Sequence, residues 1–237
     1  MRAGDIIFLS ASVPYREKWK ADARPEEIEE ALVCITRAVF ARKGRLLFGG
    51  HPSVSPLVAS IAGEYFPPDP ERTLRPVITF QSEYFRGRLP DETSQLVRMG
   101  WSSIQWTPSA PPGEGDRAES LKLMRTWMLQ GRDTPPEIIR KHGLKPPKAM
   151  IAVGGMEGVL EEAEMFVSNR AGWPLSGTPP IYAIASGGGA AKVLADSARS
   201  GALGLEQAWR QQHRDALPLD VPLQPYAAMT QWLMDRL

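Results

Sequence analysis

Three short runs combine glycine with small polar residues in a way that suits anion binding: Gly49-Gly50-His51-Pro52-Ser53, Gly154-Gly155-Met156-Glu157-Gly158 and Ser186-Gly187-Gly188-Gly189-Ala190-Ala191. Glycine lets backbone N–H groups approach a phosphate closely, and a helix that follows adds its positive end. Glycine equally serves ordinary tight turns, and none of the three runs is a Walker loop or a clean G-x-G-x-x-G fingerprint. Their joint occurrence is what points to a phosphorylated or nucleotide ligand. Ser10-Ala11-Ser12, Ser53, Gln81, Ser82 and Ser186 add short polar groups suited to phosphate or ribose hydrogen bonds, although each also suits a turn or helix cap. His51 follows a Gly-Gly turn, where an imidazole either meets a ligand or bonds to the backbone.

Further side chains carry charge to the same region. If Gly158 caps a helix, Glu161 and Glu162 are its third and fourth residues, where a carboxylate suits the helix dipole with or without a ligand. Glu162 also lies beside the apolar stripe Val159, Ala163 and Phe166, on the side open to a crevice. Glu157, inside the turn, has a similar claim on a ribose hydroxyl. Arg125 flanks the stripe Leu121, Met124 and Met128, so it is either a solvated helix arginine or one reaching towards a phosphate. Trp106 is the best placed of the tryptophans to stack on a base, whereas Trp127, Trp209 and Trp232 fall in helical patterns that favour packing.

The elements that must position these residues follow a β-α rhythm. Apolar runs at Asp5–Leu9, Arg45–Phe48, Pro76–Phe80, Ser103–Trp106, Lys148–Val153 and Ile181–Ala185 each end in small or turn-forming residues, and most precede helical periodicity. The spacing of Ile28, Leu32, Ile35 and Val39 predicts a helix from Pro25, with acidic residues at its positive end. Further helices are expected over Ser55–Tyr65, about Arg117–Gln130, and after Gly158 and Gly189. The Pro/Gly-rich segment Pro108–Gly115 reads as a lid loop. This pattern predicts an α/β fold with a doubly wound, mostly parallel, Rossmann-like sheet flanked by helices, its ligand crevice at the carboxyl ends of the strands. The chain reads as one unit, with a ligand-binding domain over residues 1–200 and a helical extension over 201–237 packed on it.

Composition removes several alternatives. The 237 residues are 43% apolar and 23% charged, and Lys+Arg 28 against Asp+Glu 27 leaves a net charge of +1, which makes nucleic acid an unexpected partner. Cys34, the single cysteine, and three scattered histidines, His51, His142 and His213, offer no disulfide and no spaced metal motif. Cys34 reads as a small packing residue. No apolar run approaches the roughly 18 residues of a membrane span, and Met1-Arg2-Ala3-Gly4-Asp5 lacks the start of a signal peptide, so the expected location is the cytoplasm with no membrane partner.

Taken in order, the strand ending Ser10-Ala11-Ser12, then Leu47–Ser53, Gln81-Ser82, Gly154-Gly155-Met156-Glu157-Gly158-Val159-Leu160-Glu161-Glu162 and Ser186–Ala191 resemble the SLOG superfamily over roughly residues 5 to 198. That Rossmann-like group joins the LOG-type "lysine decarboxylase-like" phosphoribohydrolases, the DNA-processing protein DprA and sensor domains of bacterial antiviral systems. The likeness is greatest to the stand-alone or TIR- and sirtuin-associated families of prokaryotic conflict systems, including the Thoeris ligand-sensing domain. The resemblance implies a pocket for an NAD- or nucleotide-derived molecule such as a cyclic ADP-ribose isomer, with no required cofactor. It also implies self-association, and a TIR or other effector protein as partner.

In LOG enzymes a P-G-G-x-G-T-x-x-E motif and an arginine from a preceding helix serve cleavage of an N-glycosidic bond. By that likeness Gly154, Gly155, Gly158 and Glu162 fill the motif's roles and Arg125 that of the arginine. Here Val153 stands for the proline, Glu157 is an extra residue in the turn and Val159 stands for the threonine. These departures favour binding over hydrolysis. The leading expectation is therefore a sensor of an NAD- or nucleotide-derived signal in a defence or stress pathway. The alternative is an N-glycoside hydrolase, phosphoribohydrolase- or NAD-glycohydrolase-like, in which Glu162 and Arg125 are catalytic. A third reading, a single-stranded DNA binder, lacks the basic groove it needs.

Overall fold

A computed structural model of the protein describes residues 1–110, 116–130, 134–168, 179–200 and 226–237. Six strands, β1 (Ile6–Ser12), β2 (Arg45–Phe48), β3 (Val77–Ser82), β4 (Ser102–Thr107), β5 (Ala149–Gly154) and β6 (Ile181–Ile184), form one sheet in the order β4-β3-β2-β1-β5-β6. Every neighbouring pair is parallel. A parallel sheet is covered on both faces, so its strands need apolar side chains in both directions. Ile6, Ile7, Phe8 and Leu9 of β1 accordingly have at most 2% of their surface exposed.

The helices divide between the two faces. Phe8, Phe80, Met150 and Ala183 point to the side covered by α5 (Arg117–Arg125), α7 (Glu157–Ser168) and α8 (Gly189–Ser200), where Met124, Phe166 and Leu194 meet them. Ile7, Leu9, Val77 and Ile151 point to the other side, covered by α2 (Pro25–Ala41), α3 (Ser55–Tyr65) and α4 (Asp91–Arg98) through Leu32, Val58 and Leu96. The last helix, Tyr226–Arg236, packs on α2 and adds Met229 and Leu233 to this second core. It also closes on the start of the chain, since the Met1 ammonium donates to the Met234 carbonyl at 3.0 Å. The architecture is thus α/β, doubly wound and Rossmann-like, as expected.

Differences lie at boundaries and in short elements. β1 continues through Ser12 because the pairing with β5 runs on to Ser12 opposite Gly154, so Ser10–Ser12 belong to the strand and not to the turn after it. The helix expected to reach Gln130 is regular only to Arg125 and then forms a π turn, Thr126–Gln130. The short helices α1 (Glu17–Lys20), α4 and α6 (Pro136–His142) go beyond the sequence expectation. Residues 111–115 of the expected lid, Trp209 and all of 201–225 lie outside the described residues.

Candidate functional site

The sheet order reverses between β1 and β5: the chain leaves β1 for α2 on one face and β5 for α7 on the other. A ligand crevice opens at such a switch point in doubly wound sheets. The side chain of Ser10, on β1, points to the α7 face and its hydroxyl donates to Glu162 Oε2 at 2.5 Å. Arg125, from the end of α5, donates from Nε to Glu162 Oε1 at 3.2 Å and from Nη1 to Glu161 Oε2 at 2.5 Å. Both members of the Arg125–Glu162 pair are largely enclosed, with 13% and 14% of their side-chain surface exposed. Burial pushes the Glu162 carboxyl above the usual carboxylate range, opposed by the Arg125 charge and the Ser10 hydrogen bond. The helix begins at Glu157, so Glu162 falls in its second turn, not at the fourth position expected from a Gly158 cap. Its position is therefore explained by Ser10 and Arg125 more than by the helix dipole.

Gly158 makes that pairing possible. A Cβ there would stand 2.5 Å from Arg125 Nη2, so any other residue would push the guanidinium off its seat. Gly155 and Gly188 are required for a different reason: their φ values of 83° and 72° lie in the left-handed region, and a Cβ on Gly188 would come within 2.0 Å of the Asp22 carbonyl oxygen.

Hydrogen bonds join the turns at the carboxyl ends of the strands into one continuous rim. The Gly155 N–H donates to the Ser12 carbonyl at 2.7 Å, and the Ala190 N–H to the Gly155 carbonyl at 3.0 Å. The Arg24 N–H reaches the Gly187 carbonyl at 3.0 Å, and the Val13 N–H reaches Ser53 Oγ at the same distance. Gln81 donates from Nε2 to the Gly49 carbonyl, while its buried Oε1 has no protein partner. The glycine-rich turns thus spend part of their hydrogen-bonding capacity on one another. A cavity of about 320 Å³ lies at this edge, lined among others by Asp22, Arg24, Ser186, Gly188 and Lys192.

The remaining residues singled out from sequence divide by location. His51 Nδ1 accepts from the Ser53 N–H and faces Ser53 Oγ at 2.9 Å, and burial lowers the imidazole pKa to about 4, so the ring is neutral. Gly50, with φ 64°, lies against Gln81. Ser82 caps a 3-10 turn, Glu83–Phe85, by accepting from the Tyr84 N–H. Ser186 meets the Tyr226 hydroxyl at 2.7 Å, which in turn donates to Glu27, so it is committed to the α2 face. Ala11 and Met156 are partly buried packing residues on opposite faces. Glu157 stands at the rim, paired with Arg16 at 3.0 Å and near Lys18 at 3.9 Å. Trp106, expected as a stacking platform, carries the Arg86 guanidinium over its ring at 4.4 Å.

Sequence reasoning missed two groups at this edge, and for a third, Glu161, it missed the partner. Arg16 supplies the partner of Glu157. Tyr15, just after β1, leaves 52% of its surface exposed, and its hydrogen bond to Arg117 at the start of α5 lowers its pKa. Glu161 shares Arg125 with Glu162. The run Tyr15-Arg16 directly after a strand end was the available signal, but only the fold brings α5 and α7 to it. Among the described residues no His/Cys/Asp/Glu group is placed to hold a metal ion. No described helix is long and apolar enough to cross a membrane.

No curated protein matches the chain. Among solved structures, the X-ray structure of TM1055, a Northeast Structural Genomics Consortium target, is similar at 12% identity and a TM-score of 0.45, with 81% of each chain covered. A family model described as the SLOG cluster3 family matches residues 18–212, a span that holds Gly49–Ser53, Arg125, Glu162 and the turns after β5 and β6. The chain therefore belongs to the SLOG cluster3 family.

Proposed function

We propose that the crevice between β1 and β5 binds an NAD- or nucleotide-derived small molecule and that the protein acts as its sensor. The observation that carries this reading is the Arg125–Glu162–Ser10 cluster at the switch point, framed by glycine turns and the first turn of α7. In this reading the first-turn amides of α7 hold a phosphate, Arg125 balances its charge, and Ser10, Ser12 and Ser53 take ribose hydroxyls. Tyr15, half-exposed beside Arg16 and Arg117, offers a face on which a base stacks. An ADP-ribose-like compound, a role in antiviral or stress signalling, self-association and an effector protein partner extend the same reading.

Binding is favoured over hydrolysis because both Glu162 oxygens already have partners, Ser10 on one and Arg125 on the other. A carboxylate that stabilises an oxocarbenium ion needs an unshielded negative charge next to the sugar. The hydrolase reading keeps one observation in its favour: a buried acid and an arginine meet at the switch point, as cleavage of an N-glycosidic bond requires. The deciding experiment incubates the protein with NAD, ADP-ribose, cyclic ADP-ribose isomers and AMP, followed by mass spectrometry of solution and protein-bound fractions. An intact compound retained by the protein, and weakened at least tenfold by Arg125→Gln, is the expected result. Released base that disappears in Glu162→Gln makes the protein a hydrolase, and neither retention nor release overturns both readings.

A further inference from the structure

At the opposite pole of the sheet, where the strands begin, lies a cleft of about 430 Å³, lined by Arg45, Arg72, Arg75, Ser103, Lys141 and His142 among others. Four cations and a histidine line it, and among the described residues no carboxylate does. The nearest acid bonded to this group is Asp69, whose Oδ2 stands 4.0 Å from Arg72 Nη2. Arg45, with 7% of its surface exposed, spends three of its donors on the carbonyls of Arg75, Gly143 and His142, at 2.7, 3.0 and 2.8 Å. Its charge is thereby held in place with no carboxylate paired to it among the described residues. Three buried polar atoms of the lining have no partner: Arg72 Nε, Arg75 Nη1 and His142 Nε2. His142 is only 5% exposed and is fixed through Nδ1 to Ser103 Oγ at 2.8 Å.

Buried groups that lack a hydrogen bond cost free energy, and uncompensated cations cost more. An oxyanion in the cleft offsets the uncompensated positive charge of its lining. We propose that this cleft is a second ligand site, separate from the crevice, that takes a small phosphomonoester, its phosphate received by Arg72, Arg75, Lys141 and His142. The volume exceeds what a lone phosphate fills and falls within the roughly 300–1,000 Å³ range of small-molecule sites. Burial, then the Lys141, Arg45 and Arg75 charges, lower the His142 pKa to about 4.

The test is calorimetric titration with inorganic phosphate, ribose 5-phosphate and AMP, with imidazole NMR of His142 in parallel. The expected result is saturable binding of ribose 5-phosphate, tighter than inorganic phosphate. Arg75→Gln and Lys141→Gln each weaken it at least tenfold, and the His142 pKa rises by at least one unit on saturation. Arg45 is left intact in these variants because its carbonyl bonds hold α6 to the sheet, and circular dichroism checks that both variants fold. No saturable binding overturns the proposal, as does binding indifferent to Arg75 and Lys141. Equal binding of inorganic phosphate and its ester restricts the site to the free ion, and salt-sensitive capture of an oligonucleotide by the same residues makes the face a nucleic-acid groove; either outcome rejects the phosphomonoester.

Discussion

Glu162 is a carboxylate kept where its charge is unfavourable to folding. Its pKa is raised in the fold by burial, so the folded state prefers the neutral form. By linkage, the cost of the ionised group is present above the folded pKa and disappears as pH falls towards the ordinary carboxylate value. Glu162→Gln removes that cost while retaining the shape and an acceptor for Arg125. We therefore expect Glu162→Gln to be at least as thermally stable as the parent at pH 7, with the difference shrinking as pH approaches 4.5; a large loss of stability at pH 7 contradicts this. Gly158→Ala separates stability from binding in the same cluster. Alanine in a helix is favoured over glycine by roughly 0.5–1 kcal/mol, yet the new methyl displaces the Arg125 guanidinium. Unfolding midpoints unchanged or raised, together with a tenfold or greater loss of ligand retention, are expected.

The turns between strands and helices carry the second scale of organisation. Gly188 connects β6 to α8 with φ 72°, and the Asp22 carbonyl leaves no room for a side chain there. Gly188→Ala combines a left-handed alanine, costing about 1 kcal/mol, with a backbone clash that the flanking segment before α2 must relieve. A destabilisation of about 2–4 kcal/mol in urea unfolding is the expected outcome, in contrast to the mild effect at Gly158. The comparison is informative because one glycine is required by backbone conformation and the other by a flexible side chain. The α7 start shows the same logic: Val159, Ala163 and Phe166 anchor the helix to the sheet, and this fixes the rotation that turns Glu162 towards Ser10.

For the whole molecule, two histidines set the acid side of stability. His51, at the carboxyl edge of the sheet, and His142, at the amino edge, both have pKa values lowered to about 4 by burial. Below the unfolded value of about 6.5 the unfolded chain takes up protons that the folded protein refuses, so stability is full above that pH and is lost as pH falls towards 4. Each shift corresponds to an order of 3 kcal/mol when the window has been crossed. Urea unfolding at pH 7.5 and pH 5 should show a clear fall, and His142→Gln should flatten the slope. A profile independent of pH across this window speaks against both buried neutral rings.

Much of this molecule was legible as sequence because local rules govern it. Apolar runs closed by small or turn-forming residues marked all six strands, and the period of Ile28, Leu32, Ile35 and Val39 marked α2. The motif from Gly154 to Glu162 marked the family and the candidate site. What remained illegible depends on contacts between distant segments. Arg125 and Glu162 stand 37 positions apart, and nothing local dictates that they pair. The bond of Ser186 to Tyr226, which in turn reaches Glu27, and the capping bond of Ser82 were equally hidden in the sequence. The basic cleft draws Arg45, Arg75 and His142 from three separate elements, each unremarkable where it stands in the chain. Sequence alone determined which segments bury themselves, because the hydrophobic period is written residue by residue. Only the tertiary structure decided which polar groups meet, because strand order and helix rotation set those distances.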